Sequence, residues 1–463
     1  MSRLVGRWLA VLVAARVVAA AATALADAPI AAPPRPRASV VLYVLDTVRA
    51  DRLGLYGYGL ATSPKLDRLA RRGLVFDHAY APGPSTSWSV PAFLASRFPL
   101  EMHGKLGARP AERVLAEAFA AAGYRTACLQ ANYGLIPELG FDRGFEAYRV
   151  LKKGSGQDSR YWKAGEVNAD ALAWIASVPV DEPFFFYTQV MDAHFPYAPP
   201  PPFLGSLHAP DSPAARNRRE LLRRLAETGL TPAQLEVYGR NLEAMNPDRY
   251  DEALAYVTHE FVRFMGALRR LGRADDTFVV LTSDHGEPLG EHGAMLHGTS
   301  LYDEQVRVPL IVWGPGIAPG RRRHPVSLVD LGPTLLDLTG LSVPPSFLGR
   351  SLARPEPPAA ERVAVGEMGE VPAFGVPGAR FARHGRWKLI TDTAGGKRLF
   401  DVDSDPKELH DVAGEHPRIV ETLAAEIARR VPAATAADAA APTLPPAVKK
   451  DLDESLRALG YVE

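Results

Sequence analysis

Short apolar runs alternate along this chain with longer amphipathic segments. Four runs rich in β-branched and aromatic residues are apolar on both faces, as is typical of strands buried in a parallel sheet, and they lie at 40–45, 184–187, 278–281 and 309–313. Helical spacing of apolar positions is found between these runs, at 63–72, 112–122 and 251–271. The alternation predicts an α/β fold, with a large mixed, mostly parallel central sheet covered by helices on both faces.

The pattern changes after about residue 341. Two β-rich runs, 387–390 and 399–402, flank a Gly-Gly turn and predict a β-hairpin. An amphipathic helix is predicted over 417–430. We therefore expect a main domain at 38–340 and a smaller C-terminal α+β subdomain with an antiparallel sheet at 341–463.

The start of the chain, 1–26, has the pattern of an export signal. Arg3 and Arg7 precede an apolar stretch, and small residues suited to cleavage stand at 24–26. A proline-rich tether follows at 27–37. We expect a periplasmic or secreted protein. An uncleaved N-terminal anchor is the alternative, and it is the one membrane association that the sequence predicts.

Composition narrows the range of functions. The 463 residues include 53 basic and 53 acidic side chains, so the formal net charge is zero and no general attraction to nucleic acid is expected. With 47% hydrophobic and 23% charged residues, the chain can bury a large core. The single cysteine, Cys128, excludes an internal disulfide and any site built from several thiolates.

Acidic residues and histidines stand where the predicted strands end. Asp46 follows the first strand, Asp284 and His285 follow a later one, and Asp192 and His194 lie beyond a third. Each acid alone would be read as a helix cap or a loop ion pair. Ligands bind beyond the carboxyl ends of strands in open α/β sheets, so these side chains together predict a metal site.

Asp46, Asp284 and His285 are suitable ligands for one divalent metal ion. Two hard carboxylate oxygens with one imidazole nitrogen favour zinc or manganese, with calcium as the alternative. A hydroxyl as the remaining ligand would suit metal-activated nucleophilic attack.

These segments resemble the sulfatase family of the alkaline phosphatase superfamily. Matching motifs occur in the family's order at 44–54, 56–58, 62–67, 76–81, 194–197, 282–287, 297–298, 301–304, 307–311, 399–401, 405–406 and 456–461. The resemblance covers nearly all of the chain beyond the tether. It implies an alkaline-phosphatase-like fold and a metal-dependent ester hydrolase. The implied partner is a small-molecule or glycan sulfate or phosphate ester.

The nucleophile departs from the pattern of formylglycine sulfatases, which carry Cys or Ser followed by x-Pro-x-Arg. Cys128 lies well outside the matching segment, so a formylglycine made from cysteine is excluded. Ser89 begins a Ser-x-Pro sequence, but this register leaves the run to Pro99 three residues too short. Thr86 needs no gap on either side, as in the similar phosphoethanolamine transferases. We predict Thr86 as nucleophile and metal ligand, with Ser85 and Ser89 as alternatives.

The resemblance also implies roles for two histidines. His194 and His297 would contact the transferred group or protonate the leaving oxygen, work that suits a side chain with a pKa near neutrality. Asp192, Glu291 and His292 are candidates for orienting the ligands, or for purely structural roles.

Two further positions differ from many sulfatases. Thr47 stands where those enzymes have a second metal carboxylate, and Val90 stands where they have arginine. These differences weaken the case for a calcium-type arylsulfatase.

The predicted function is hydrolysis of sulfate esters through a covalent Thr86 intermediate, with phosphate esters as a further substrate class. One alternative is a transferase that moves phosphoethanolamine or another phosphoryl headgroup. The other is a catalytically inactive binding protein that has kept the sulfatase fold.

Overall fold

The computed structural model describes residues 37–102, 113–151, 162–209, 211–227, 245–294, 296–354 and 363–431, with positions 446 and 450. The predicted export signal, most of the tether and the closing motif at 456–461 lie outside these residues. Within the described ranges, none of the helices has the length and apolarity needed to span a bilayer. The predicted division of the chain at residue 340 stays a prediction.

The main sheet, as far as the structure describes it, has nine strands. They are β1 (Ser39–Leu45), β2 (Leu74–Tyr80), β3 (Arg125–Gln130), β4 (Ala147–Val150), β5 (Phe184–Val190), β6 (Thr277–Ser283), β7 (Arg307–Trp313), β8 (Gly320–Arg322) and β9 (Val326–Ser327). Their order is β4-β3-β5-β1-β6-β7-β2-β8, and β9 pairs with β2.

Strand direction agrees with the predicted mixed, mostly parallel sheet. The strands from β4 to β6 are all paired in parallel, and β2 is parallel to β8 and β9. The exception is β7, which is antiparallel to both of its neighbours, β6 and β2. The sequence of β7 is apolar on both faces, as in a buried parallel strand. A strand that is buried on both faces has this pattern whether it runs parallel or antiparallel to its neighbours.

Helices cover both faces of this sheet. Alternate residues of β1 face opposite sides: Val40, Leu42 and Val44 belong to one apolar core, and Val41 and Tyr43 to the other. The helices are α1 (Pro64–Ala70), α2 (Thr86–Ala95), α3 (Pro99–Met102), α4 (Leu115–Ala121), α5 (Ala164–Ser177), α6 (Pro213–Ala226), α7 (Pro247–Arg270), α8 (Asp303–Val306), α9 (Leu331–Leu338) and α10 (Pro417–Arg430). Helices α2, α4 and α9 pack on the first core, and α1, α5 and α7 on the second.

A separate antiparallel sheet follows in the C-terminal region. Its strands, in spatial order, are β10 (Ala364–Met368), β11 (Ala379–His384), β12 (Trp387–Asp392) and β13 (Lys397–Asp401). The predicted hairpin corresponds to β12 and β13, and the predicted helix corresponds to α10. Leu423 and Ile427 of α10 pack on Leu389 and Leu399 of this sheet. The predicted α/β fold with a C-terminal antiparallel sheet is therefore confirmed.

The pairing of β1 positions the candidate chemistry. This strand lies between β5 and β6 and is parallel to both, with Leu45 opposite Val190 on one side and Ser283 on the other. The residues that follow these three strands therefore emerge level with one another at one edge of the sheet.

Candidate metal centre and active site

Three of the predicted ligands meet at this edge. Asp46 follows β1, and Asp284 and His285 follow β6. Each offers one ligand atom within 4.8 Å of the other two, and all three side chains are buried. The structure therefore brings together a group that could hold a metal ion.

The ring of His285 is oriented for coordination. Its Nδ1 lies 2.8 Å from the carbonyl oxygen of Gly286, an acceptor, so Nδ1 carries the proton. The Nε2 lone pair then faces Asp284 Oδ2 at 3.5 Å. A Cβ on Gly286 would lie 2.2 Å from the carbonyl oxygen of Glu304, so only glycine fits at this position. An imidazole fixed through its other nitrogen is the usual arrangement of a metal-ligating histidine.

The two carboxylates have no lysine or arginine partner in the part of the chain that the structure describes. Neither Asp46 nor Asp284 forms an ion pair with lysine or arginine among the described residues, and Asp46 Oδ1 is buried there without a hydrogen-bond partner. Burial, and next the charge of Asp284, raise the pKa of Asp46 well above its usual value. Burial lowers the pKa of His285, so its imidazole is neutral. A divalent cation would satisfy the free oxygen and the excess negative charge, so the donor set fits a metal.

Thr86 lies beside this group. It is the first residue of α2, and its Oγ1 lies 2.7 Å from Asp284 Oδ2 and 3.3 Å from His285 Nε2. The two alternative hydroxyls make neither of these contacts among the described residues: Ser85 Oγ contacts Ser87 Oγ, and Ser89 Oγ is buried without a hydrogen-bond partner. The geometry favours Thr86 over both serines, although its role as nucleophile stays a prediction. The positive end of the α2 dipole would stabilise negative charge on the Thr86 oxygen.

Both predicted histidines also reach the site. The ring of His297 lies 4.3 Å from that of His285 and 5.1 Å from that of His194, measured between centroids. Burial lowers the pKa of His194 to about 3 and that of His297 to about 4. Both rings are therefore neutral in this environment, and their predicted part in proton transfer stays a prediction.

Two residues that sequence reasoning left without a role bind the predicted ones. Glu287 Oε1 lies 2.9 Å from His297 Nδ1, and burial raises the pKa of Glu287 to about 7. Asn132, two residues beyond β3, donates from Nδ2 to Asp46 Oδ2 at 2.7 Å and to Thr86 Oγ1 at 3.2 Å. The sequence shows Glu287 as the last residue of the Asp-His-Gly-Glu motif. Asn132 follows β3, which was not among the predicted strands, so no sequence pattern indicated this residue.

The remaining candidates contact other groups. Asp192 accepts from the backbone of Ala164, and Glu291 pairs with Arg49. His292 lies 2.8 Å from Glu304 and stacks on a tyrosine ring. These contacts favour structural roles for the three.

Thr47 cannot substitute for the second carboxylate found in many sulfatases. Its hydroxyl lies 2.7 Å from the carbonyl oxygens of both Asp46 and Ala193, so it is engaged by the backbone.

More than half of the chain matches a known family. The Sulfatase family profile matches residues 38–341. A second profile, described as N-sulphoglucosamine sulphohydrolase, C-terminal, matches residues 290–434.

Individual relatives carry sulfatase names. The chain is 35% identical over 179 residues to a choline-sulfatase of Rhizobium meliloti (strain 1021), a match that covers 36% of this chain and 33% of that protein. It is 25% identical over 447 residues to an arylsulfatase of Clostridium perfringens (strain 13 / Type A), covering 80% of this chain and 89% of the relative. The first match thus spans only a third of the relative's length, whereas the second spans most of it.

Solved structures show the same fold. A phosphonate monoester hydrolase of Agrobacterium radiobacter superposes with a TM-score of 0.67 at 21% identity, over 84% of this chain and 95% of the other. At this identity the likeness concerns the fold alone.

Proposed function

The chain belongs to the sulfatase family, and on that premise we propose that it hydrolyses sulfate esters with Thr86 as the attacking group. One observation carries the proposal: the Thr86 hydroxyl lies against Asp284 and His285, beside a buried carboxylate oxygen that has no partner among the described residues. The sulfatase names of the relatives support the choice of a sulfate ester.

Four side chains would hold the metal: Asp46, Asp284, His285 and Thr86. When bound, a divalent cation supplies Lewis-acid stabilisation of negative charge and lowers the pKa of a hydroxyl. The imidazole ligand favours zinc or manganese, and calcium is the alternative to be tested.

The Thr86 oxygen would act directly on the ester. Its hydroxyl donates a hydrogen bond to Asp284 Oδ2, which makes that carboxylate the nearest acceptor for the hydroxyl proton. Attack of Thr86 Oγ1 on sulfur forms one S–O bond and breaks the bond between sulfur and the alcohol oxygen. Water then attacks the same sulfur, which releases sulfate and restores the threonine.

The leaving alcohol oxygen needs one proton, which His194 or His297 would provide while the other ring contacts the transferred group. Both rings are neutral in the structure because they are buried. An anionic substrate beside them favours the protonated form and so promotes this role. Glu287, in contact with His297 Nδ1, would hold that ring in place.

Phosphate ester hydrolysis is the second candidate. Sulfate and phosphate esters present similar tetrahedral oxyanions, and a threonine nucleophile without the arginine usual at position 90 also suits phosphoryl chemistry. A phosphoryl headgroup transferase would use the same first step, with a glycan or lipid hydroxyl in place of water.

The direct test is a paired substrate assay. The purified chain, stripped with chelator and reloaded with zinc, manganese or calcium, is offered para-nitrophenyl sulfate and para-nitrophenyl phosphate. We expect metal-dependent turnover that is faster with the sulfate, and faster phosphate turnover would favour the second candidate. A change in membrane glycolipid mass on expression, without hydrolysis in water, would favour the transferase.

Two variants control the assay. Thr86→Ala and Asp284→Ala should each abolish turnover. Activity that survives both substitutions would refute the proposed mechanism. Stoichiometric metal without turnover of any ester would favour the inactive binding protein.

We also propose that the protein works outside the cytoplasm, either released or anchored by its N-terminus. This proposal rests on the sequence pattern of 1–26, in which basic residues precede an apolar stretch and small residues suited to cleavage follow. Fractionation of expressing cells tests this, because an uncleaved chain in the cytoplasmic fraction would contradict it.

A further inference from the structure

A glutamine joins the two ligand carboxylates. Gln189 is the penultimate residue of β5 and is fully buried. Its Nε2 lies 2.6 Å from Asp46 Oδ2 and 2.9 Å from Asp284 Oδ2. An amide nitrogen carries two hydrogens, so one is available to each carboxylate.

A tyrosine on the same strand fixes the direction of this amide. Tyr187 and Gln189 are two residues apart, so their side chains leave the sheet on the same face. The Tyr187 hydroxyl donates to Gln189 Oε1 at 2.5 Å. With its oxygen engaged by this donor, the amide directs its NH₂ group toward Asp46 and Asp284.

The two oxygens of the Asp46 carboxylate differ in their hydrogen bonding. Oδ2 accepts from Gln189 and Asn132, whereas Oδ1 has no hydrogen-bond partner among the described residues and lies 3.9 Å from His285 Nε2. A neutral donor therefore holds one oxygen and leaves the other free on the side of the imidazole.

Gln189 is well suited to this place because it carries no charge. A lysine or arginine there would neutralise the acids and compete with a cation, whereas an aliphatic side chain would leave both Oδ2 atoms with one buried donor fewer. The amide reduces the repulsion between the acids without supplying the positive charge that they lack.

We propose that Gln189 is a positioning residue that clamps the Asp46 and Asp284 carboxylates together for one divalent cation, with its amide oriented by Tyr187. This inference rests on the proposed metal-dependent function. It assigns part of the cation affinity of the site to the hydrogen bonds that one neutral amide donates to Asp46 Oδ2 and Asp284 Oδ2.

The test measures cation affinity directly. The full chain is stripped with chelator and titrated with Zn²⁺ and Mn²⁺ in a calorimeter, without substrate. Gln189→Leu should weaken the Kd by about 10–100-fold, the usual cost of losing a residue that orients a metal ligand. Tyr187→Phe should weaken it by a smaller factor, because the amide remains but loses its orientation.

Thr188→Val is the matched control. Thr188 is a buried neighbour on the same strand, and its hydroxyl has no hydrogen-bond partner in the described part of the chain. This variant should bind both cations with the wild-type Kd. An equal loss of affinity in Thr188→Val and Tyr187→Phe would assign the effect to strand packing and overturn the inference.

Three other outcomes are decisive. A wild-type Kd in both Gln189→Leu and Tyr187→Phe would overturn the clamp while leaving the proposed function in place. If Gln189→Leu fails to fold, Tyr187→Phe decides alone, and an unchanged Kd there overturns the inference. Absence of cation binding by the wild-type chain would refute the metal-dependent function, and the clamp with it.

Discussion

Two buried clusters in this protein each join two carboxylates to one nitrogen base, and the bases differ. In the C-terminal cluster, Lys388 Nζ lies 2.6 Å from Asp303 Oδ1 and 2.9 Å from Glu408 Oε1. Burial alone would lower the pKa of Lys388, but the two acids outweigh it and raise the pKa. The lysine stays protonated, so the protein supplies the cation of this cluster itself.

The strand-end cluster, formed by Asp46, Asp284 and His285, has no such cation among the described residues. Its base is His285, whose pKa is lowered by burial more than the charge of Asp284 raises it. The imidazole is neutral, and burial, followed by the charge of Asp284, raises the pKa of Asp46. Two buried acids with a neutral base could hold a metal ion, whereas two buried acids with a lysine form a structural ion pair.

The largest expected effect is the loss of turnover in Thr86→Ala, a substitution that should leave cation binding in the strand-end cluster in place. Thr86→Ala removes the proposed attacking oxygen but keeps Asp46, Asp284 and His285, so we expect kcat to fall by at least about 10⁴-fold while cation binding persists. Steady-state assays and metal analysis measure the two properties. Thr86→Ser should restore part of the activity, and Ser89→Ala should leave it close to wild type. Loss of activity in Ser89→Ala alone would move the nucleophile to Ser89.

The second-largest expected effect is the loss of stability when Lys388 is removed from the C-terminal cluster. Lys388→Met removes the one cation that contacts both buried acids among the described residues, and we expect a loss of about 3–5 kcal/mol in the free energy of unfolding. Urea denaturation measures this. The exposed Lys397→Met, on the neighbouring strand, is the control and should change little. A comparably small change in Lys388→Met would show that the lysine does not neutralise the cluster.

In the strand-end cluster, removal of a charge should raise the free energy of unfolding, the opposite of the change expected for Lys388→Met. Asp46→Asn can keep an oxygen toward Gln189 and Asn132, and it removes the repulsion from Asp284. We expect the chelator-treated protein to gain about 1 kcal/mol of stability and to lose its stabilisation by added cation. Thermal unfolding with and without cation tests this, and destabilisation under chelator would contradict it.

The last prediction concerns a pH dependence in the C-terminal cluster. Burial raises the pKa of Glu408 to about 7, so the folded protein holds this proton where the unfolded chain has released it. Stability from this group is therefore lost as pH rises from about 4.5 to 7. Glu408→Gln should reduce that decline in the urea midpoint, whereas the exposed Glu421→Gln should not. Identical pH profiles for wild type and Glu408→Gln would contradict the assignment.

The fold was largely readable from the sequence because burial leaves a strong pattern. Runs that are apolar on both faces marked β1, β5, β6 and β7, and the helical period marked α1, α4 and α7 among the described helices. The direction of β7 was not readable, since it depends on the connection from β6 and not on the residues of the strand.

The candidate site was readable where a residue followed a predicted strand. Asp46, Asp284 and His285 were found in this way, and the structure brings Thr86 to them through the N-terminus of α2. Gln189 was not assigned a role, because the apolar run that marks β5 stops at Tyr187. A buried polar residue inside a strand has no periodicity of its own, and only the partners supplied by other strands reveal its role.

Anomalous X-ray diffraction from crystals grown with zinc or manganese tests the central claim most directly. We predict one anomalous peak per chain at this site, within coordination distance of Asp46, Asp284, His285 and Thr86, and none in Asp46→Asn. A wild-type crystal at saturating cation with no peak there, or with the metal bound away from Thr86, would contradict the account.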